Sequence, residues 1–408
     1  MKLLFVNQFY KPDHAATAQM LADLCERLAA KGHDVHVLTA RGRYDGGDGT
    51  DARRLPRREQ IDGVHVHRVR ATGFGKRRLV GRIIDYLTVH LAIGLRLLLA
   101  GARYDAIVTL TTPPLVGVYA VPLRWFSRVR HVCWVMDLHP DCEFELGVFR
   151  RTSWLARLLD YLNGLHFRKA DACVALGERM AQRLKAKGVS RARIHCIDLW
   201  GHDTPPAPST EVDALREAWG LRGRFVVMYS GNAGLIHSFD AVLESARRLR
   251  DDERFAFLFV GGGGRLREIE AFKAEHALGH LDIRPYVPRE QLGVSLAVGD
   301  VHLITMRDGM AGVALPSKLY GILAAGRPAL FVGPDDAEPA AMIRTHACGK
   351  VFATHDADAF TAALQRLADD RQAVTRMGHA AREAFEARYR ADHGCERWRT
   401  LLESVVRT

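Results

Sequence analysis

Residues 305–328 read TMRDGMAGVALPSKLYGILAAGRP: a strand exit, a glycine-containing run and a short helix in succession. The run holds Gly309 and Gly312, passes through Leu315-Pro316-Ser317-Lys318, and closes at Gly326-Arg327-Pro328. Proline suits a helix's first turn, and glycine followed by proline suits its exit. Ser317 and Lys318 are therefore expected at a helix N-terminus, where free backbone N–H groups and the helix dipole favour an anion. A lysine added there is what a diphosphate needs. The competing reading is a surface helix with Lys318 in solvent.

The same strand, loop and helix grammar extends upstream. Phe225–Ser230 reads as a strand that enters the small-residue turn Gly231-Asn232-Ala233-Gly234, with a helix from about Ser238. Phe255–Val260 repeats the pattern into Gly261-Gly262-Gly263-Gly264-Arg265. Such turns let backbone N–H groups approach a phosphate closely. Near the start of the chain, Lys2–Asn7 and His36–Thr39 read as strands around a helix over Ala15–Gly32, where Met20, Leu21, Leu24 and Leu28 keep helical spacing. This is how a doubly wound sheet begins, so the loop NQFYKPDHAATAQ lies at the ligand-binding ends of its strands. No GxGxxG follows the first strand, which counts against a dinucleotide-binding oxidoreductase.

A chain of 408 residues exceeds the size at which one core keeps growing, so two domains are expected. The composition turn from Trp200 to Pro208, rich in Gly, Asp, Thr and Pro, sets the boundary. Residues 1–200 then form the first domain and 201–379 the second, with a last helix at about 380–408. The seven cysteines are odd in number and scattered without CxxC pairs, which points to reduced thiols rather than disulfides or a zinc site. The apolar run after Met1 is too short for a signal peptide, so the mature chain is expected to start there.

Charge is lopsided. Residues 1–200 carry 32 Lys and Arg against 19 Asp and Glu, while the remainder carries 26 against 28, so the whole net charge of +11 comes from the first half. A one-sided basic surface attracts nucleic acid, anionic lipid or a phosphorylated substrate, and no nucleic-acid-binding motif is present. Lys76-Arg77-Arg78 and Arg82 lead into an apolar helix, Ile83–Ala100, interrupted by Asp85, His90 and Arg96. That interruption makes a poor transmembrane span, leaving a helix lying on an anionic membrane surface or an ordinary core helix. Arg41–Gln60 reads as a mobile, solvated loop, and Val64–Val69 as a half-exposed strand.

Between these, Val132–Met136 is a buried-type strand continuing into Asp137-Leu138-His139-Pro140-Asp141. A histidine and two carboxylates at a strand end are where an α/β enzyme places groups that handle a proton; a capping Asp and a surface His are the plainer alternative. Asp356-Ala357-Asp358 reads as helix capping rather than a metal site.

Taken in order, these segments resemble the retaining family 4 glycosyltransferases of the GT-B superfold, in the bacterial branch that builds polysaccharide repeat units with a PSK-containing helix. The likeness runs through LAAKGHDVHVLTA, Asp137–Asp141 as a variant of D-[IL]-W-P-E, YSGNAG, VGGGG, PYVP and PSKLYGILAAGRP. It implies an α/β fold of two Rossmann-like domains with an interdomain cleft and a C-terminal helix returning to the first domain. It also implies donor contacts at Gly231, Asn232, Gly234, Gly262, Gly263, Tyr286, Val287, Gly312, Val313, Ser317 and Lys318. Acceptor contacts would fall at Asp13, His14 and Thr17, and catalytic roles at Asp137, His139, Asp141 and Lys318. Many members carry two Glu residues in the donor segment; here Val313 and Gly321 stand at those positions.

The resemblance implies transfer of a sugar from a nucleoside diphosphate sugar, UDP-linked, to a saccharide acceptor on polyprenyl diphosphate, without a metal or other cofactor. The setting would be the cytoplasm, with contact to the inner membrane surface through residues 76–100 and no nucleic-acid partner. Two alternatives share the fold: a sugar-nucleotide epimerase, and a non-catalytic partner of a membrane assembly.

Overall fold

The apolar runs that open each half of the chain become the central strands of two separate sheets. The computed structural model describes residues 1–13, 15–41, 55–70, 72, 79–203 and 205–407. Its contacts divide them into Met1–Asp198 with Ala391–Thr408, and Leu199–Arg390.

The first domain holds β1 (Lys2–Val6), β2 (Asp34–Ala40), β3 (Arg58–Ile61), β4 (Val64–Val69), β5 (Ala106–Leu110), β6 (Arg130–Trp134), β7 (Ala172–Ala175) and β8 (Ile194–Cys196). They lie in the order β3-β4-β2-β1-β5-β6-β7-β8. All neighbours are parallel except the β3–β4 pair. A parallel sheet needs helices on its faces, and these include α1 (Ala16–Ala30), α2 (Leu79–Ala100), α3 (Asp141–Glu145), α4 (Trp154–Lys169) and α5 (Glu178–Ala186). Leu4, Val6, Leu38 and Ile107 pack under Val89, Ile93 and Leu97 of α2. The strand order reverses between β1 and β5, so the loops after those strands meet at the switch point. The Gln8 N–H donates to the Thr112 carbonyl at 2.7 Å there.

The second domain holds β9 (Phe225–Asn232), β10 (Phe255–Gly262), β11 (Leu281–Arg284), β12 (Val301–Thr305), β13 (Ala329–Val332) and β14 (Gly349–Phe352), ordered β11-β10-β9-β12-β13-β14 and parallel throughout. Among its helices are α6 (Asp240–Arg248), α7 (Leu266–Glu275), α8 (Lys318–Ala324) and α9 (Arg371–Ala384). Phe225, Tyr229, Phe239, Phe255, Phe257 and Phe259 give this core an aromatic spine. Here the order reverses between β9 and β12, which brings Gly231–Gly234 and the Met306–Lys318 loop to one switch point.

Three expectations change. Residues 380–408 are not one helix: α9 ends at Ala384, a π-turn spans Phe385–Tyr389, and α10 (Ala391–Arg407) follows. Residues up to Arg390 stay with the second domain because α9 packs tightly there; a Cβ on Gly378 would sit 2.5 Å from the Gly326 carbonyl oxygen. The return to the first domain is made by α10 alone, where Trp398 meets Trp134 with ring centroids 4.6 Å apart and Lys31 pairs with Glu396 at 2.8 Å. The expected loop over Arg41–Gln60 contains part of β3, held by the ion pair of Glu59 with the buried Arg68, while residues 42–54 lie outside the described residues. Finally, α2 is neither wholly core nor wholly surface. Val89, Ile93 and Leu97 are buried, whereas Ile84, Leu87, Leu91, Leu95 and Leu98 are exposed. Ile84–Arg103 is long and apolar enough to cross a membrane, but a helix whose face packs on this sheet cannot do so. Lys76–Arg78 lie outside the described residues, as does the side chain of Arg82.

Candidate functional site

In the second domain β9 runs out through Tyr229-Ser230-Gly231-Asn232 beside the end of β10. The pair can stay this close only with glycine. Gly261 has φ +144°, and a Cβ there would lie 2.2 Å from the Gly231 carbonyl oxygen; Gly263, at φ +125°, would put one 2.5 Å from that of Ala233. The two loops are tied by Ala233 N–H to Gly262 O at 2.7 Å and Arg265 N–H to Ala233 O at 3.0 Å. Gly231 and Asn232 sit in this turn, with Gly234 just beyond, and a Cβ on Gly231 would be 3.6 Å from Lys318 Cε.

Lys318 opens α8, and its side chain turns inward beneath β9 rather than outward to solvent. Its ammonium lies over the Tyr229 ring, 3.7 Å from the centroid, and donates to the Tyr229 hydroxyl. That hydroxyl donates in turn to the Asn232 carbonyl at 2.8 Å, which leaves its lone pairs for the lysine. On the other side stands the buried His237. Its Nδ1 is 2.6 Å from the Thr305 carbonyl and must carry the proton, so Nε2 offers a lone pair to Lys318 Nζ at 3.4 Å. The Arg265 guanidinium donates to the His237 carbonyl and is paired with Glu268 at 2.6 Å.

Among the described residues no carboxylate pairs with Lys318. Lys318 is half-buried with its ammonium between the Tyr229 ring and His237, and burial pushes the lysine pKa well below its ordinary value. Burial, with the Lys318 charge beside it, does the same to His237. A lysine that would be charged in water is thus held beside a neutral imidazole where charge is costly, unless an anion joins it.

The donor contacts expected from the sequence fare differently. Ser317 stands at the helix N-cap position with no side-chain capping bond, and α8 has only seven residues, so the lysine rather than the helix end dominates the local field. Tyr286 is 57% exposed, and its ring lies beside Gly262. Val287 packs partly against the core under β10. Gly312 is buried at φ +69°. The Val313 side chain is fully buried in the core, so a donor contact at this position would fall to its backbone. A Cβ on Gly321 would face Leu296 Cδ1 at 3.6 Å. Tyr229 and His237 were missed. Tyr229 carries a signal only as the first letter of YSGN, and His237, three residues past Gly234, carries none.

In the first domain the Thr111 hydroxyl accepts the Met136 and Asp137 N–H groups, both at 3.1 Å, which pins the end of β6 to that of β5. His139 Nδ1 is 2.7 Å from Glu143 Oε1, one helical turn on along α3. Burial opposes charge on His139, yet the bond to Glu143 and the charges of Glu143, Asp137 and Asp141 lift its pKa above the ordinary imidazole value. Burial raises the Asp137 pKa as well, partly offset by His139. This cluster can hold a proton between a histidine and two carboxyl groups beside a switch-point loop. Glu143 was missed, although the spacing of four from His139 was legible. Asp141 is corrected: its carboxylate is buried against Lys187 at 2.5 Å, with Arg183 at 3.8 Å, and it braces α3 against α5. Asp13 accepts from the Ala15 N–H at 2.8 Å and so shapes the entry to α1, in whose first turn Thr17 is half-buried. His14 lies outside the described residues. Asp356 does cap its helix, accepting from Ala359 N–H at 2.9 Å.

Two Rossmann-like domains, the second with Lys318 set against a glycine turn at its switch point, are the architecture of the GT-B glycosyltransferases. The chain belongs to that family: a glycosyl transferase 4-like domain matches residues 16–200, and glycosyl transferases group 1 matches residues 211–384. It is similar to the putative colanic acid biosynthesis glycosyl transferase WcaI of Escherichia coli K12, 28% identical over 81% of this chain and 83% of that protein. It is also similar to the probable glycosyltransferase WbjE of Pseudomonas aeruginosa, 27% identical over 72% and 73%. Among solved structures, sucrose-phosphate synthase of Thermosynechococcus elongatus superposes with a TM-score of 0.78 at 15% identity, covering 99% of both chains. Anabaena HepE in complex with UDP-glucose gives 0.74 at 12%, covering 99% of this chain and all of that one.

Proposed function

We propose that this glycosyltransferase moves, with retention, a hexosyl or N-acetylhexosaminyl group from a UDP-sugar to a saccharide on polyprenyl diphosphate in bacterial surface polysaccharide biosynthesis. The observation that carries this reading is the enclosed Lys318 ammonium, which has no carboxylate partner among the described residues and lies against a glycine turn at the switch point. As the bond from the anomeric carbon to the diphosphate breaks, charge grows on the departing oxygen. Lys318 and the N–H groups of the turn stabilise that charge, the kind of electrostatic contribution that usually dominates catalysis, and on this reading they stand in place of a metal ion. The acceptor hydroxyl attacks from the leaving-group side and its proton passes to the departing phosphate. Asp137, His139 and Glu143 orient the acceptor. The names borne by WcaI and by the HepE complex support the pathway class and the donor.

A cytoplasmic enzyme docked on the inner membrane face fits the seven free thiols and the apolar face of the first domain. The helix Ala120–Phe126 packs on α2, and its Trp125 and Phe126 are 74% and 86% exposed, with Arg128 exposed beside them for anionic headgroups. The test is a thermal-shift screen with UDP, GDP, ADP, dTDP and their sugars, on the wild type and Lys318→Met. A stabilisation by UDP and a UDP-sugar that disappears in the variant is expected, because a ligand bound to the folded state raises its stability by mass action. No shift with any nucleotide would sink the proposal and favour a non-catalytic partner.

A further inference from the structure

At the far edge of the first domain, β2 and β4 run parallel with His36 opposite His65. Side chains alternate along a strand, so Asp34 and His36 of β2 share a face with His65 and His67 of β4. The opposite face, through Val35, Val37, Val64 and Val66, is buried in the core. His36 Nε2 is 2.8 Å from Asp34 Oδ1, and His65 Nε2 is 3.9 Å from the same oxygen. One ligand atom from each of Asp34, His36 and His65 falls within 4.8 Å of the others. The rings of His36 and His65 stack at 4.8 Å, and Tyr104 stands edge-on to His36 at 5.1 Å.

We infer that Asp34, His36 and His65 form a binding site for a divalent transition metal, zinc in the first instance. Zinc takes imidazole nitrogen and carboxylate oxygen at about 2.0–2.2 Å in a tetrahedron, which sets ligand atoms about 3.3 Å apart. The observed spacings bracket that value, and the half-exposed His65 and Asp34 can close on the ion by side-chain rotation. The fourth position faces solvent for a water. The set of two imidazoles and one carboxylate suits zinc better than the all-oxygen ions.

The outer shell is in place as well. His36 Nδ1 is 3.0 Å from His67 Nε2. With Nε2 of His36 on the metal, its proton resides on Nδ1 and is donated to His67, the arrangement that orients a ligating histidine. His67 then carries its own proton on Nδ1, so the change is one of tautomer with no net proton released. Lys2 approaches only the other oxygen of Asp34, at 3.6 Å, and both side chains are half-exposed.

These residues sit in the N-terminal halves of their strands, whereas the switch-point loops follow the C-terminal ends. The metal therefore takes no part in sugar transfer. It clamps β2 to β4, two strands joined in sequence through residues 41–63.

The experiment uses tag-free, chelator-dialysed full-length protein titrated with zinc against a chromophoric competitor, with cobalt absorption as a second readout. About one zinc per chain is expected, with tetrahedral cobalt bands and a raised Tm, and affinity falling roughly tenfold or more in Asp34→Asn and in His65→Gln. Those two exposed positions keep the test sound should His36→Gln fail to fold. Absence of stoichiometric zinc, or zinc binding unchanged in Asp34→Asn/His65→Gln, would overturn the site. Transferase activity is expected to be equal in wild type and both single variants, so this outcome and that of the donor assignment are read separately.

Discussion

Lys318 shows how one side chain gains its chemistry from its surroundings. On an exposed helix it would be a hydrated cation of ordinary pKa; over the Tyr229 ring and against neutral His237 it keeps its proton less readily. A bound diphosphate reverses that balance, because an adjacent anion favours the charged form. Below the depressed pKa of the free protein, binding is proton-neutral; above it, binding takes up a proton and UDP affinity falls about tenfold per pH unit. Calorimetric titration across pH checks this, and Lys318→Met should remove the slope along with most of the affinity. His139 has the opposite sign. Its raised pKa depends on Glu143, so Glu143→Gln should move the His139 limb of the kcat profile to lower pH. The same pair stabilises the fold below the unfolded imidazole value, and that contribution is lost as pH rises through the raised one. A profile unmoved by Glu143→Gln would remove His139 from the reaction.

At the scale of elements, α2 and α10 each do something their periodicity left open. Helix α2 seats Val89, Ile93 and Leu97 on the sheet and leaves Leu87, Leu91 and Leu95 outside, the last two 61% and 60% exposed. Fully burying a leucine is worth roughly 1.5–3 kcal/mol and little more than half of each of these three is exposed, so together they contribute roughly 2–5 kcal/mol toward holding the protein on a bilayer. Leu87→Ser/Leu91→Ser/Leu95→Ser should lose most co-sedimentation with anionic liposomes while keeping the wild-type Tm; unchanged sedimentation would argue against the docking face. Helix α10 closes the first domain through Trp398, which is fully buried against Trp134. Trp398→Ala should cost about 3–5 kcal/mol of that domain's stability, read by denaturant unfolding. A cost below about 1 kcal/mol would mean that α10 is not part of its core.

For the whole molecule, the excess charge is confined to the first 200 residues, which carry 32 basic against 19 acidic side chains. Liposome association should therefore weaken as salt rises, whereas UDP binding in the second domain, around an enclosed lysine, should change much less. Measuring both between low and physiological ionic strength checks this; equal sensitivity would mean that donor and membrane share one surface field.

The fold class and the order of its parts were legible because they rest on local signals: apolar runs of strand length, helical spacing, and glycines at strand exits. So was the motif that carries Lys318. What surrounds it was not, since Tyr229 and His237 reach it across 89 and 81 residues of chain. Asp141 shows the limit most plainly, for its sequence neighbours suggested a proton-handling carboxylate, and only packing brought Lys187 to it. Likewise His65 and His67 fell on a strand read as half-exposed and His36 on one read only as a strand, until register set His36 beside His65. By itself, the sequence determined two doubly wound domains and the segment that carries Lys318, because backbone preference and periodicity act over a few residues. Tertiary structure alone decided which charges are paired, which are enclosed and which imidazoles converge, because those depend on contacts between residues far apart in the chain.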